Sequence, residues 1–103
     1  SDLDPVTLKK LNRGSKVVEV LKQDQYSPMD VIEQILVIFA ATKGYLDNIK
    51  LTSISRYEKE VLLYLKKNHA DLVEELKKEK KISDTFEPKI HSALEQFGKQ
   101  FNE

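Results

Sequence analysis

Residues 31–41 read VIEQILVIFAA, and this stretch decides the fold. From Ile35 onward its side chains are apolar, so a helix built on it is apolar nearly all round. Such a helix is stable in water only when neighbours cover it on several sides. The apolar run from Ile35 to Ala41 is far shorter than the about 20 residues that cross a bilayer. We therefore predict a central, buried helix of a helical domain.

Start and stop patterns lie on either side of this helix. Residues 27–30 read SPMD, which supplies a capping serine, a proline at the first helical position and an acid at the third. At the other end, Gly44 follows Lys43 and suits a left-handed helix terminus. The sequence therefore predicts a helix that begins after Ser27 and ends before Gly44.

A first helix is predicted from Pro5 to Lys22, with Asp4 as its cap. Its apolar stripe consists of Leu8, Leu11, Val18 and Leu21. Gly14 lies inside this helix and costs about 1 kcal/mol relative to alanine, so either the helix breaks there or another backbone packs closely. We favour close packing, because the stripe continues in register on both sides. The polar residues 23–26 indicate a short link between this helix and the next.

Three more helices are predicted in the rest of the chain. One runs from Thr52 to Lys67, and a short helix capped by Asn68 follows it. The last helix ends near Phe101. Pro88 limits where this helix begins, and a cap at Thr85 places the proline at the tolerated third position.

These elements predict an all-α fold over a single domain, residues 1–103, without a sheet. We expect a compact bundle of about five to six short helices in a left-handed superhelical arrangement. The side chains that the helical periodicity assigns to its core are Leu11, Val18, Leu21, Ile35, Leu36, Ile38, Phe39, Ile54, Tyr57, Val61, Leu65, Leu72, Leu76, Ile90, Leu94 and Phe97.

Composition argues against several classes of function. Lys+Arg and Asp+Glu both total 17, whereas a nucleic-acid binder normally has a basic surplus. The chain has no cysteine, so it has neither disulfides nor thiolate sites. It also lacks a phosphate-binding glycine loop, and His69 and His91 are too far apart for a helical zinc pair. We expect no catalytic, cofactor or metal site, no nucleic-acid partner and no membrane insertion.

Two charged segments leave alternatives open. Residues 77–81 hold four lysines, which suit a solvated helix end better than a polyanion site because glutamates lie among them. Asp2 and Asp4, before the first helix, could cap that helix or could meet a basic partner. Both roles can hold for one residue, because a cap needs only one carboxylate oxygen. Since residue 1 is serine and no signal peptide is visible, we also expect a fragment or a processed product.

Several stretches together resemble the carboxy-terminal helical domain of the F-type ATP synthase alpha subunit. They are SDLD at residues 1–4, LNRG at 11–14, LKQ at 21–23, QYSPM at 25–29 and GYLD at 44–47. The likeness covers essentially the whole chain and is weaker after Tyr57. Ile32, Ala41 and Lys43 depart from the residues that are common in that family, and this affects only local packing.

The resemblance implies a structural collar rather than an enzyme. In that family, alpha and beta subunits alternate in a ring around a central stalk, and the alpha subunit binds ATP or ADP with Mg in a domain upstream of this region. We therefore expect a fragment without cofactor or catalysis, whose partners are beta subunits and the central stalk. Candidate stalk or subunit contacts are Ser1, Asp2, Leu3 and Asp4, which match the place of the acidic segment of the beta subunit.

The implied location is peripheral, on the inner side of an energy-coupling membrane, in the bacterial cytoplasm or at the mitochondrial matrix face. In that setting a stiff helical block would relay stalk rotation to the nucleotide domain. The alternative hypothesis is a free-standing helical adaptor that holds a partner helix in a groove. An enzyme has almost no support from the sequence.

Overall fold

A computed structural model describes residues 4–26 and 30–101. In this part of the chain the elements are α1 (Pro5–Tyr26), α2 (Val31–Thr42), a 3₁₀ turn (Leu51–Ser53), α3 (Ile54–Asn68), α4 (Ala70–Glu79) and α5 (Glu87–Gln100). No strand occurs among the described residues. The prediction of an all-α fold with about five helices is confirmed, while the left-handed superhelical arrangement stays a prediction.

Helix α2 is the most apolar element and lies against α1, α3 and α4. Leu36, Val37, Ala40 and Ala41 on it are buried, as the sequence predicts for a helix that is covered on several sides. The other predicted core residues that are buried are Phe39, Ile54, Tyr57, Val61, Leu65, Leu76, Ile90, Leu94 and Phe97. Each large apolar side chain buried in this way contributes about 1.5–3 kcal/mol.

Three predicted core residues lie at the edge of the core. Ile35, Ile38 and Leu72 are half-buried and pack against the buried cluster. Helix α2 therefore still exposes part of one side, because α1, α3 and α4 do not close completely around it.

An aromatic cluster joins α3 to α5. The Tyr57 and Phe97 rings meet edge to face with centroids 5.3 Å apart, and Phe101 meets Tyr57 at 5.2 Å. Tyr64, two turns after Tyr57 on α3, packs on Phe97 with ring centroids 5.4 Å apart. Aromatic pairs in these orientations add about 0.5–1.5 kcal/mol beyond the area that they bury. The phenylalanine-rich last helix is therefore held mainly through Phe97, which is almost fully buried.

Helix α2 ends as predicted, at a glycine in the left-handed region. Gly44 has φ +92°, its N–H donates to the Ala41 carbonyl, and the Tyr45 N–H donates to the Ala40 carbonyl. These two bonds form a Schellman motif, which satisfies carbonyls that the helix itself cannot. The chain then turns through residues 43–50, here called the α2–α3 turn, before the 3₁₀ turn begins.

Four predicted boundaries are corrected. Residues 23–26 continue α1 instead of forming a link, since neither glycine nor proline occurs at residues 15–27. Helix α2 begins at Val31, and Asp30 is its cap, because the Asp30 carboxylate accepts the Glu33 N–H at 3.0 Å. Asp30 is thus not at the third helical position, and the proposed cap Ser27 lies outside the described residues.

The other two corrections concern the later helices. Asn68 does not cap α4, because the His69 N–H still donates to the Leu65 carbonyl and Asn68 is therefore the last residue of α3. Helix α5 begins after Phe86 and not after Thr85, since a turn at 84–86 precedes it. Its proline is then among the first two helical residues, where no N–H partner is needed.

The prediction that Leu11, Val18 and Leu21 belong to the core is wrong. Their exposed fractions are 57%, 52% and 46%, respectively, and Leu8 on the same face is also exposed. Helix α1 buries the opposite side, where Val20 is 1% exposed. The helix carries two apolar sets, and α2 and α3 cover only the set that includes Val20.

The prediction that another backbone packs closely against Gly14 is also wrong for the described part of the chain. Helix α1 runs through Gly14 without a break, and a Cβ built there meets no heavy atom within 4 Å. The position lies on the exposed side of the helix, so no described element approaches it.

Replacement of Gly14 with alanine is therefore expected to stabilise the chain by about 0.5–1 kcal/mol. The alanine lowers the backbone entropy of the unfolded chain, and its methyl group projects into open space. The shift of the urea midpoint, with an unchanged slope, measures the effect. If Gly14→Ala instead lowered the stability of the chain in dilute solution, the space around Gly14 could not be open.

Candidate functional site

Three polar side chains of α1 hold the α2–α3 turn. The Arg13 guanidinium donates to both carboxylate oxygens of Asp47, with Nη2–Oδ2 at 2.9 Å and Nε–Oδ1 at 3.3 Å. Asn12 donates from Nδ2 to the Asp47 carbonyl at 2.9 Å. One turn further along, the buried Lys16 donates from Nζ to the Ile49 carbonyl. We call this set of contacts the α1 clamp.

The Arg13–Asp47 pair is the charged part of the α1 clamp. Bidentate pairing of a guanidinium with a carboxylate fixes the geometry of both groups as well as their charge. The hydrogen bond to Asp47, more than the charge attraction, raises the pKa of Arg13. The Asp47 side chain is the less exposed partner, so the pair fixes α1 to a mostly covered carboxylate.

Gly44 makes room for the α1 clamp. A Cβ at this position would lie 2.5 Å from Arg13 Nη2 and 3.3 Å from Asp47 Oδ2. The residue also has a positive φ, which side chains with a Cβ rarely adopt. Leu46, between the glycine and the aspartate, is fully buried. The motifs at 11–14 and 44–47, far apart in the sequence, are thus brought together in one site.

Helix α5 holds the other side of the α2–α3 turn. The Tyr45 hydroxyl lies 2.5 Å from His91 Nδ1, and the two rings are 5.6 Å apart. On the far side of the imidazole, Nε2 lies 3.4 Å from a Glu87 carboxylate oxygen, which also pairs with Lys43 at 3.5 Å. Burial, and then the charge of Glu95, raise the pKa of Tyr45. The turn is therefore fixed from both α1 and α5.

The start of α1 carries the described part of the predicted contact segment. Asp4 is exposed, and its Oδ1 accepts the Thr7 N–H at 2.7 Å, so Asp4 caps the helix as predicted. Hydrogen bonds from Thr7 lower the pKa of Asp4. That Asp4 also meets a basic partner, through its second carboxylate oxygen, stays a prediction. Ser1, Asp2 and Leu3 lie outside the described residues.

The stabilising effect of Asp4 is expected to depend on pH. Its pKa in the folded chain lies below the ordinary value of 3.8, so the carboxylate stabilises the fold above that pH. The effect is lost as the pH falls through the folded value. We expect Asp4→Ala to lower the melting temperature at pH 7 and to have little effect near pH 2.

The control is Asp4→Asn, which keeps a capping oxygen but does not titrate. Thermal unfolding followed by circular dichroism measures both variants across the pH range. An Asp4→Ala effect of the same size at both ends of the range would contradict the cap as the origin of the low pKa.

Three further properties of the described residues concern metals, membranes and grooves. It contains no group of three or more His, Asp or Glu side chains placed to hold a metal. None of its helices combines the length and the apolar character that crossing a bilayer requires. A shallow groove of about 490 Å³ is lined by Asp84, Glu87, Pro88, His91, Ser92 and Glu95. Its carboxylates would repel a nucleotide phosphate.

A comparison with protein families matches residues 1–97 to a family described as the ATP synthase alpha/beta chain, C terminal domain. The chain belongs to this family. The match covers α1 to α4 and α5 as far as Phe97, and so includes both halves of the α1 clamp. As a member of the ATP synthase alpha/beta C-terminal family, the chain is a helical domain of a rotary ATP synthase subunit.

Sequence analysis did not predict the pairing of Arg13 with Asp47 or of Tyr45 with His91. Two features of the sequence point toward the Arg13–Asp47 pair: the residues have opposite charges, and both lie in motifs of the family resemblance. However, 34 residues separate them, and helical periodicity carries no information about contacts at that distance. In this ATP synthase domain the polar contacts that fix α1 could be seen only in the folded chain.

Proposed function

We propose that this chain is the C-terminal domain of the non-catalytic alpha subunit of a proton-transporting rotary ATP synthase. Support for alpha over beta comes from the motifs at residues 11–14, 25–29 and 44–47, which resemble alpha. The domain would follow the nucleotide-binding domain of the subunit and hold no nucleotide, metal or active site of its own. In the assembled enzyme it would lie on the inner side of the energy-coupling membrane.

Its role would be a structural collar that touches beta subunits and the central stalk and relays rotation. The observation that carries this proposal is the α1 clamp. The start of α1 carries the candidate stalk contact Asp4, while Arg13, nine residues later, ties the same helix to the α2–α3 turn. A helix fixed in this way moves with the rest of the bundle, so a force applied at its start would reach the whole domain.

The test of this role is Arg13→Gln in the complete alpha subunit of an assembled synthase. Glutamine removes the bidentate charge pair with Asp47, and α1 gains freedom relative to the turn. We expect ATP synthesis per rotation to fall while nucleotide affinity stays unchanged. The matched control is Arg56→Gln, because the other arginine of the chain pairs with Glu60 within α3 and lies over the Phe101 ring, and so takes no part in the α1 clamp. If both variants made the same amount of ATP per rotation, the proposed relay of rotation through the α1 clamp would be contradicted.

A second candidate is a free-standing helical adaptor, which is favoured by the exposed apolar side of α1. Mixing the chain with isolated beta and stalk subunits, and with unrelated amphipathic helices, separates the two. The alpha assignment predicts binding to the synthase subunits only. Equal binding to unrelated helices favours the adaptor.

A further inference from the structure

One histidine connects the α2–α3 turn to α5 through both of its ring nitrogens. The Tyr45 hydroxyl lies 2.5 Å from His91 Nδ1, and a Glu87 carboxylate oxygen lies 3.4 Å from His91 Nε2. We call these three residues the imidazole link. All three belong to the described residues and contact one another, so the link does not depend on which parts of the surface are free.

The two partners select one form of the neutral imidazole. An ionised carboxylate only accepts hydrogen bonds, so the hydrogen of the neutral ring belongs on Nε2, which donates it to Glu87. Nδ1 then carries a lone pair and accepts from the Tyr45 hydroxyl. Burial raises the pKa of Tyr45, so this hydroxyl keeps its hydrogen at neutral pH. In the neutral link, tyrosine therefore donates to histidine and histidine donates to glutamate.

Protonation of the imidazole reverses one of these two hydrogen bonds. Both nitrogens of a charged imidazole donate, so the Tyr45 hydroxyl must then accept from His91 Nδ1. The hydrogen of the hydroxyl needs a new acceptor, and the His91 carbonyl oxygen lies 3.4 Å from the same hydroxyl. A carbonyl oxygen has two lone pairs and can accept in addition to its helical bond. Each group of the imidazole link thus has a partner in both charge states.

The surroundings of the imidazole carry more negative than positive groups. The titratable and charged groups that face it from α5, from the turn before α5 and from the α2–α3 turn are Glu87, Glu95, Asp84, Tyr45 and Lys43. Helix α2 contributes the Phe39 ring, whose centroid is 5.1 Å from that of the imidazole. A positive charge on His91 would therefore meet three carboxylates, one ammonium group and the face or edge of one aromatic ring.

We propose that protonation of His91 strengthens the hold of α5 on the α2–α3 turn, which makes this hold sensitive to pH. In the neutral link only the bond to Glu87 involves a charged group, whereas in the protonated link both bonds do. Charge-assisted hydrogen bonds are about twice as strong as neutral ones. Histidine is the side chain whose charge ordinarily changes between about pH 5 and pH 8. The α1 clamp has no histidine, so the response is confined to the α5 side of the turn.

The first test compares Tyr45→Phe with the natural chain at about pH 5.5 and about pH 8.5, on either side of the histidine titration. Phenylalanine keeps the ring and removes only the hydroxyl. At the higher pH a neutral nitrogen loses its donor, and we expect the ratio of folded to unfolded chain to fall about threefold. At the lower pH a charged N–H loses its acceptor, and we expect a fall of at least ~10-fold. Urea unfolding followed by circular dichroism measures both ratios.

Tyr64→Phe is the matched control. Tyr64 packs on the other histidine of the chain, His69, with ring centroids 5.5 Å apart, but its hydroxyl donates to Gln96, which does not titrate. We expect equal losses at both pH values for this variant. On a His91→Gln background, the cost of Tyr45→Phe is also expected to be the same at both pH values, because glutamine has no charge to gain.

The second test needs no substitution in the link. Nitrogen NMR of the histidine side chains distinguishes a ring nitrogen that carries hydrogen from one that does not, and His91→Gln identifies the signals of His91. Above the titration we expect the hydrogen on Nε2 and a bare Nδ1, and below it we expect hydrogen on both nitrogens.

Two results would overturn the inference. The neutral His91 ring could carry its hydrogen on Nδ1, in which case Tyr45 accepts in both charge states and no hydrogen bond reverses. Tyr45→Phe could also cost as much at the higher pH as at the lower, which would show that protonation does not strengthen the link.

Discussion

Replacing Phe97 with alanine is expected to lower the free energy of unfolding by about 3–5 kcal/mol. The side chain is 2% exposed and packs on Tyr57, Tyr64 and Phe101. Truncation therefore leaves a cavity between α3 and α5, and three rings each lose one of their aromatic contacts. Small domains have total stabilities of only about 5–15 kcal/mol, so a large share of the fold's stability depends on this residue.

Urea unfolding followed by circular dichroism measures the effect of Phe97→Ala. The control is Leu63→Ala, which removes an exposed side chain and is expected to change stability by less than about 0.5 kcal/mol. A loss below about 1.5 kcal/mol for Phe97→Ala would mean that α3 and α5 close over the missing ring, contrary to a rigid aromatic cluster.

Replacing Gly44 with alanine is expected to cost about 1–3 kcal/mol, the second largest effect. Two causes act together. Alanine at φ +92° is strained, and its Cβ would lie 2.5 Å from Arg13 Nη2. The guanidinium is the end of a flexible side chain and can move away, but it then leaves Asp47.

A double-mutant cycle separates the two causes. On an Arg13→Gln background the clash disappears while the backbone strain remains, so Gly44→Ala is expected to cost less there than in the natural chain. Gly98→Ala is the matched control, because this helical glycine has nothing within 4 Å of a built Cβ. We expect the control to raise stability by about 0.5–1 kcal/mol. Equal costs for Gly44→Ala on both backgrounds would show that the α1 clamp does not depend on Gly44.

Most of the helices could be predicted from the sequence, because their patterns are local. The all-round apolar character of residues 35–41 marked α2 as central, and Gly44 marked its end. The steps of three and four residues from Phe86 to Phe101 predicted α5. Helix ends were less accurate, since Asp30 competes with Ser27 for the cap and Asn68 can continue a helix as well as begin one.

The contacts of the candidate site could not be predicted in the same way. Asn12, Arg13 and Lys16 on α1 find their acceptors 33 to 35 residues further along the chain. Tyr45 and His91 are 46 residues apart. Such contacts depend on how whole helices are placed, and neither charge nor periodicity within one segment records that placement.

The sequence alone determined that this chain is a set of amphipathic helices around one apolar helix, because propensity, caps and periodicity act between residues a few positions apart. Only the tertiary structure decided which side of α1 is buried. Both apolar sets of that helix, the one with Val20 and the one with Leu11 and Val18, satisfy the same helical period. Helices α2 and α3 cover the first set, and the second stays in contact with solvent, because a helix packs on the side where its neighbours lie.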